Sequence, residues 1–134
     1  MKVVLDTNVL VAGLLNPYGT CGAVVRLVVS GGVRLCLDAR IFCEYQEVLA
    51  RPAFGFDQGH VKVLINFFKA TGDWVGASPL AARLPDRDDE PFLEVALAAG
   101  ADALVTGNLK HFPPRLRSGV RVLSPAALVE QAQK

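Results

Sequence analysis

Cysteine is scarce in this chain, and what there is forms no pattern. Cys21, Cys36 and Cys43 are odd in number, scattered and free of any Cys-x-x-Cys spacing. That excludes a disulfide framework and a thiolate zinc site, and predicts buried thiols in a reducing cytosol. An excess of one charge is also missing. The formal net charge is +1, which does not support a broad basic nucleic-acid surface, so any such binding must be local. Hydrophobic residues make up 51% of the chain, yet in pieces too short and too interrupted to cross a bilayer. No basic n-region followed by an apolar stretch and a small-residue cleavage site is evident, so no signal peptide and a cytoplasmic location are expected. Internal repeats and low-complexity tracts are absent. The 134 residues fit a single domain, 1–134, long enough to bury a real core.

What is present is organised around residues 2–8, KVVLDTN. Val3, Val4 and Leu5 form a short apolar run rich in β-branched residues, the pattern of a buried parallel strand. Asp6, Thr7 and Asn8 follow at once. In an open parallel sheet, ligands bind at the carboxyl ends of the strands, so Asp6 stands where chemistry is done. The same residue could simply cap the next helix.

Residues 9–15 read as a short helix stopped by Asn16 and Pro17,. Thr20 is a fair N-cap for a second helix, with Ala23, Val24, Leu27 and Val28 on one face and Gly31 and Gly32 at its end,. Residues 33–37 are a second strand, and the helical crossover predicts that it pairs in parallel with the first. A third helix over residues 39–51 carries the stripe Ile41, Tyr45, Val48 and Leu49. Glu44 borders that stripe, whereas Glu47 lies further round, beside Arg40 and Arg51, on a solvated face,. A carboxylate at a stripe edge is costly without a partner. Glu44 is therefore the functional candidate, unless a nearby Arg merely pairs with it.

Asp57 can cap a fourth helix bearing Val61, Leu64, Ile65 and Phe68, closed by Gly72, with His60 exposed near its start. Trp74 and Val75 suggest a short edge strand, and residues 78–85 a connection. Residues 85–100, PDRDDEPFLEVALAAG, read as a helix with Pro91 in its first turn and Gly100 at its end. Asp86, Asp88, Asp89 and Glu90 crowd its start. Acids favour helix N-termini, but one satisfies that need. Four within five residues repel one another, which an oxygen-seeking divalent cation relieves.

Residues 103–106 form another buried strand, ended by Gly107 and Asn108 as the first was by Asp6, Thr7 and Asn8. Lys110, His111, Arg115 and Arg117 follow, either as phosphate contacts or as a solvated loop. Residues 120–123 are a last strand, and Ser124 with Pro125 starts a C-terminal helix,. The order of elements predicts a three-layer α/β/α sandwich around a parallel sheet of four to five strands. Asp6, Glu44 and Asp89 can then converge on one rim. Carboxylates with no partner His or Cys suit Mg²⁺ or Mn²⁺, and such a cation can activate water and stabilise charge on a phosphodiester. The apolar surface of residues 9–15 and of the helix holding Phe67 and Phe68 exceeds the need of one short core, so a homodimer is expected.

DTNVL, EYQEVLARPAF, DRDDEPFLEVALAAGADALVTGN and the trailing HFP together resemble the PIN-domain family, nearest to the VapC-like toxins of toxin–antitoxin pairs. The resemblance covers nearly the whole chain, with the motifs in the right order. It implies a metal-dependent endoribonuclease acting on RNA, frequent homodimers, and an antitoxin encoded alongside. Carried over by position, Asp6, Glu44 and Asp89 match the family's first three acids, with Asp86 and Asp88 as near alternatives. Thr7 and Asn8 match the polar pair after the first acid, and Thr106 matches the small hydroxyl residue closing the fourth strand. The fourth acid of the family is Asn108 here, an oxygen donor without charge. Three other readings compete. A non-catalytic PIN scaffold that binds RNA or protein draws on Asn108. A phosphatase with a strand-end Asp nucleophile would want a second Asp where this chain has Asn8. A doubly wound nucleotide-binding domain would want a Gly-rich turn after the first strand, which is lacking.

Overall fold

Val3, Val4 and Leu5 have no exposed surface, and the sheet is built outward from them. The structure, a computed structural model, describes residues 1–133. Strand β1 (Lys2–Leu5) pairs in parallel with β2 (Arg34–Leu37) on one side and with β4 (Ala103–Val105) on the other. Strands β3 (Asp73–Trp74) and β5 (Val122–Leu123) extend the two edges, again in parallel, giving the five-stranded order β3-β2-β1-β4-β5. The inner strands read as continuous apolar runs because both faces are covered by helices, and the whole is a three-layer α/β/α sandwich.

Among the described residues six α-helices flank the sheet: α1 (Thr7–Leu15), α2 (Thr20–Val29), α3 (Ala39–Leu49), α4 (Gln58–Thr71), α5 (Glu90–Ala99) and α6 (Pro125–Ala132). Side-chain caps start four of them: Asp6, Asp38, Asp57 and Ser124 each accept a backbone N–H from the first turn,. Thr20 does not cap α2. Gly19 holds that position without a side-chain bond, and Thr20 is already helical. Pro91 sits in the first turn of α5 and Gly100, at φ 59°, closes it in the left-handed region,. The edge strands differ from their sequence reading: β3 is displaced by one residue, taking in Asp73 and leaving out Val75, and β5 is shorter, with residues 120–121 outside it.

Burial corrects two further expectations. Cys36 is in the core and Cys21 is half-buried, but Cys43 is exposed. Ile41, Tyr45 and Leu49 point α3 inward, and two residues from Ile41 the helix has turned to its outer side. Burial pushes the Cys36 thiol up to about 11. Of the apolar surface expected to remain for a second copy, Val9, Leu10 and Phe68 are consumed by the core, whereas Leu15 and Val63 stay exposed. Among the described residues, no single helix is long and apolar enough to cross a membrane.

The chain leaves β1 toward β2 and β3, then returns to lay β4 on the opposite side of β1. Strand order therefore reverses between β1 and β4, and a crevice opens at their carboxyl ends. Register fixes what faces it. Leu5 pairs with Val105, so the next residues, Asp6 and Thr106, stand side by side at the switch point.

Candidate active site

Asp6 is 4% exposed and held from two directions. Its backbone N–H donates to Val105 O at 2.9 Å, and its Oδ2 accepts the Thr106 hydroxyl at 2.8 Å. Oδ1 takes only a long 3.4 Å bond from the Asn8 N–H. Asp6 is thus both the helix cap and a carboxylate with unused acceptor capacity, so its two readings coexist. Thr106 is fully buried and also accepts the Asn108 N–H at 3.0 Å.

Glu44 reaches the same place from α3. Tyr45, the next residue, is fully buried, and its hydroxyl donates to Leu5 O at 2.5 Å. That bond anchors α3 to the last residue of β1 and delivers Glu44 to the mouth of the crevice. There its Oε2 accepts the Thr7 hydroxyl. Among the described residues no Arg is within ion-pair reach of Glu44, so the simple ion-pair account fails. Arg51 pairs instead with Glu47, and Arg40 with Asp38 and Glu94.

The crowded acids before α5 divide by task. Asp86 caps a short turn, accepting the Asp88 N–H at 2.9 Å. Glu90 is buried and holds the preceding loop, accepting the Leu84 N–H at 3.0 Å and Arg83 at 2.9 Å. Asp89 occupies the cap position of α5 but makes no capping bond. Its Oδ2 is buried with no hydrogen-bond partner; His111 Nδ1 stands 3.2 Å away without completing a hydrogen bond. Burial, then the neighbouring Asp6 charge, pushes the Asp89 carboxyl up to about 6, with His111 opposing,. Capping and macrodipole therefore account for Asp86 and not for Asp89.

Asp6, Thr7, Asn8, Glu44, Asp88 and Asp89 line one cleft, and Arg51 and Phe54 line it with them. Asp86 is beside it in sequence but does not line it. Asn108 does not line it either; it is exposed on the turn after β4, with φ −123°, so the turn makes no demand for a left-handed residue. Of the basic group, only His111 approaches a site acid. Arg117 is drawn into the fold by donating to Phe112 O at 2.7 Å, while Lys110 and Arg115 are exposed and outside the cleft lining. Arg51 and Phe54 were not singled out by the sequence. Arg51 is expected only on the solvated face beside Glu47, and nothing in helical periodicity says where a side chain just past the end of a helix will point.

The donor set is made of hard oxygens. An oxygen buried without a hydrogen bond, beside a second carboxylate that raises its pKa, is the environment a divalent cation relieves. Among the described residues no three His, Cys, Asp or Glu side chains meet closely enough to ligate an ion directly as they stand. Mg²⁺ keeps several of its own waters, which span the wider spacing of a cleft, so the residues fit such an ion.

An all-parallel sheet with carboxylates gathered at its switch point defines an α/β protein with an acidic cleft suited to divalent ions. The PIN domain family model matches residues 2–110, a span that contains every acid of the cleft, and the chain belongs to the PIN-domain family. Proteins of that family are in general divalent-metal-dependent nucleases. No curated protein matches the chain.

Proposed function

We propose that this protein is an endoribonuclease that uses Mg²⁺ or Mn²⁺, and that it serves as a VapC-like toxin of a toxin–antitoxin pair. The observation that carries the reading is Asp89 Oδ2, buried and without a hydrogen bond in the cleft it shares with Asp6 and Glu44. Asp6, Glu44 and Asp89 would hold the cation, with Asn108 offering a neutral oxygen at the margin. When bound, that ion supplies activated water and takes up charge on the phosphodiester.

The chain's own groups prepare the site. The Thr106 hydroxyl keeps its proton directed at Asp6 Oδ2, leaving Oδ1 the freer oxygen. The Thr7 hydroxyl does the same for Glu44. These bonds fix the carboxylates before substrate arrives, so little reorganisation accompanies the reaction. His111 beside Asp89 brings an imidazole to the edge of the cleft, and Lys110, Arg115 and Arg117 are the further candidates for flanking phosphates. An antitoxin and a second copy of the chain complete the proposed partners.

The test is cleavage of mixed RNA with Mg²⁺ or Mn²⁺, with and without EDTA. Cleavage that needs the ion, and that Asp6→Asn abolishes without lowering the melting temperature, supports the reading. Removing one of several clustered like charges should leave metal-free stability unchanged or raised. The second reading, a PIN scaffold that binds RNA or protein without cutting it, is favoured by Asn108, where a charge is missing. Metal-independent RNA binding with no cleavage under any of these conditions would establish it.

A further inference from the structure

His111 stands just past Asn108, at the end of a short 3-10 turn over Leu109–His111. The turn closes with the His111 N–H on Asn108 O at 3.0 Å and the Phe112 N–H on Leu109 O at 3.1 Å. Phe112, the next residue, has no exposed surface, and its carbonyl accepts Arg117 Nε at 2.7 Å. The chain is therefore pinned to the core directly after His111. That anchor holds the imidazole between the end of β4 and the start of α5, against Asp89.

His111 Nδ1 and Asp89 Oδ2 are 3.2 Å apart, yet Oδ2 has no hydrogen-bond partner. That distance is short enough for a hydrogen bond, so direction is what fails: the ring nitrogen is not aimed at the oxygen. A protonated imidazole paired with a carboxylate gains most from a straight N–H···O line, which this contact lacks. Two neighbouring ligands of one octahedral ion have the observed relationship. With metal–ligand bonds of about 2.1 Å they stand about 3 Å apart, each aimed at the ion and not at the other. Asp89 is 9% exposed, whereas the His111 side chain is 47% exposed, which leaves an ion a way in and the second ring nitrogen its proton toward water.

We propose that His111 is a metal ligand, binding the ion of the acidic cleft through Nδ1 beside Asp89, and that it shifts the preference of the site from Mg²⁺ toward Mn²⁺. The inference rests on the metal-dependent part of the ribonuclease reading and adds a nitrogen ligand to it. Among the described residues no third His, Cys, Asp or Glu stands with this pair at ligand spacing, so Asp6 and Glu44 meet the ion through its waters. Mg²⁺ is a hard cation that takes oxygen and gives up water reluctantly. An imidazole nitrogen suits transition metals better. The connection after β4 lacks a charge at Asn108 and supplies this nitrogen instead.

The experiment is pulsed electron paramagnetic resonance of the full-length protein loaded with Mn²⁺, beside calorimetric titrations with Mn²⁺ and with Mg²⁺. The wild type should show spin-echo modulation from a metal-bound imidazole nitrogen. The chain has two histidines, and His60 lines the apolar groove away from the acids. His60→Gln should therefore keep the signal and His111→Gln should lose it. His111→Gln should also weaken Mn²⁺ binding by at least about tenfold, since even groups behind a ligand act on that scale, and should change Mg²⁺ binding far less. A plain ion pair predicts the opposite sign: with no cation competing for Asp89, His111→Gln would bind Mn²⁺ more tightly. Bound Mn²⁺ without the nitrogen signal, or a His111→Gln variant that binds Mn²⁺ as tightly as its parent or more so, overturns the ligand and leaves the acids as the site. If the wild type binds neither ion, the metal-dependent reading fails, and the ligand with it. The nitrogen signal without any RNA cleavage would sink the nuclease reading and leave His111 a ligand.

Discussion

Thr106 donates its hydroxyl to Asp6 Oδ2 at 2.8 Å across the junction of the two central strands. The bond joins residues a hundred positions apart, and it exists because Leu5 and Val105 are in register. It is also fully buried at Thr106, where an unmade bond is expensive.

Thr106→Val keeps the shape and removes the hydroxyl. Asp6 Oδ2 then loses its donor, while the exposed Asn108 N–H can turn to water. The expected loss is about 1–3 kcal/mol, the usual cost of stranding a buried polar group. Urea unfolding in EDTA should show it as a lower midpoint with an unchanged slope. Added Mg²⁺ should recover part of the loss, because the cation satisfies Asp6 again. A midpoint equal to the wild type in EDTA would mean that Thr106 does not orient Asp6.

Asp89 gives the pH dependence. Its carboxyl titrates at about 6 in the folded protein against an ordinary 3.8. Between those values the folded chain keeps a proton that the unfolded chain has released. Metal-free stability from this group therefore falls as pH rises through that window, and the penalty is complete above it. Asp89→Asn removes the penalty. In EDTA the variant should melt above the wild type at pH 7, and the difference should close as pH falls below 4. Melting curves collected across that range decide the matter, and a difference that grows on acidification would contradict the assignment.

Assembly is a separate question. Val29 and Val63 remain exposed and line an apolar groove between α1, α2 and α4, a face open to a second copy. A homodimer is the expected state. Multi-angle light scattering should give twice the 14.3 kDa chain mass, and a monomer at high protein concentration would count directly against it.

The sequence made the strands and the helix stripes legible because hydrophobic periodicity reports which face is buried. Val3 to Leu5 required a buried strand, and the acid that follows had to stand at a strand end. What the pattern does not report is where polar tips find partners. Tyr45 read as one more residue of the α3 stripe, yet its hydroxyl on Leu5 O is what ties Glu44 to β1. Glu94 passed as part of an apolar helix, yet it is buried, accepts Arg40, and holds the Leu80 N–H at 3.0 Å. The sequence places Arg51 on a solvated face beside Glu47. That pairing is present, yet Arg51 also lines the cleft. Each of these contacts depends on chain reversals, which local sequence does not specify.

Asn108 is where the chain departs from the family's acid pattern, and it supplies the last test. It follows Thr106 and Gly107 at the end of β4, and its backbone N–H is committed to Thr106 Oγ1 at 3.0 Å. Its φ of −123° is open to any residue, so Asp fits there without strain. Cation affinity rises with the number of charged ligands. Asn108→Asp should therefore bind Mn²⁺ more tightly than the wild type and lower the Mg²⁺ needed for half-maximal RNA cleavage. RNA affinity in the absence of metal should not rise, because an added negative charge can only reduce it. Calorimetric titration of both proteins with Mn²⁺ measures the first effect directly. Equal affinities would mean that Asn108 belongs to the turn alone, and that Asp6, Glu44 and Asp89 supply all the side-chain oxygens of the metal site.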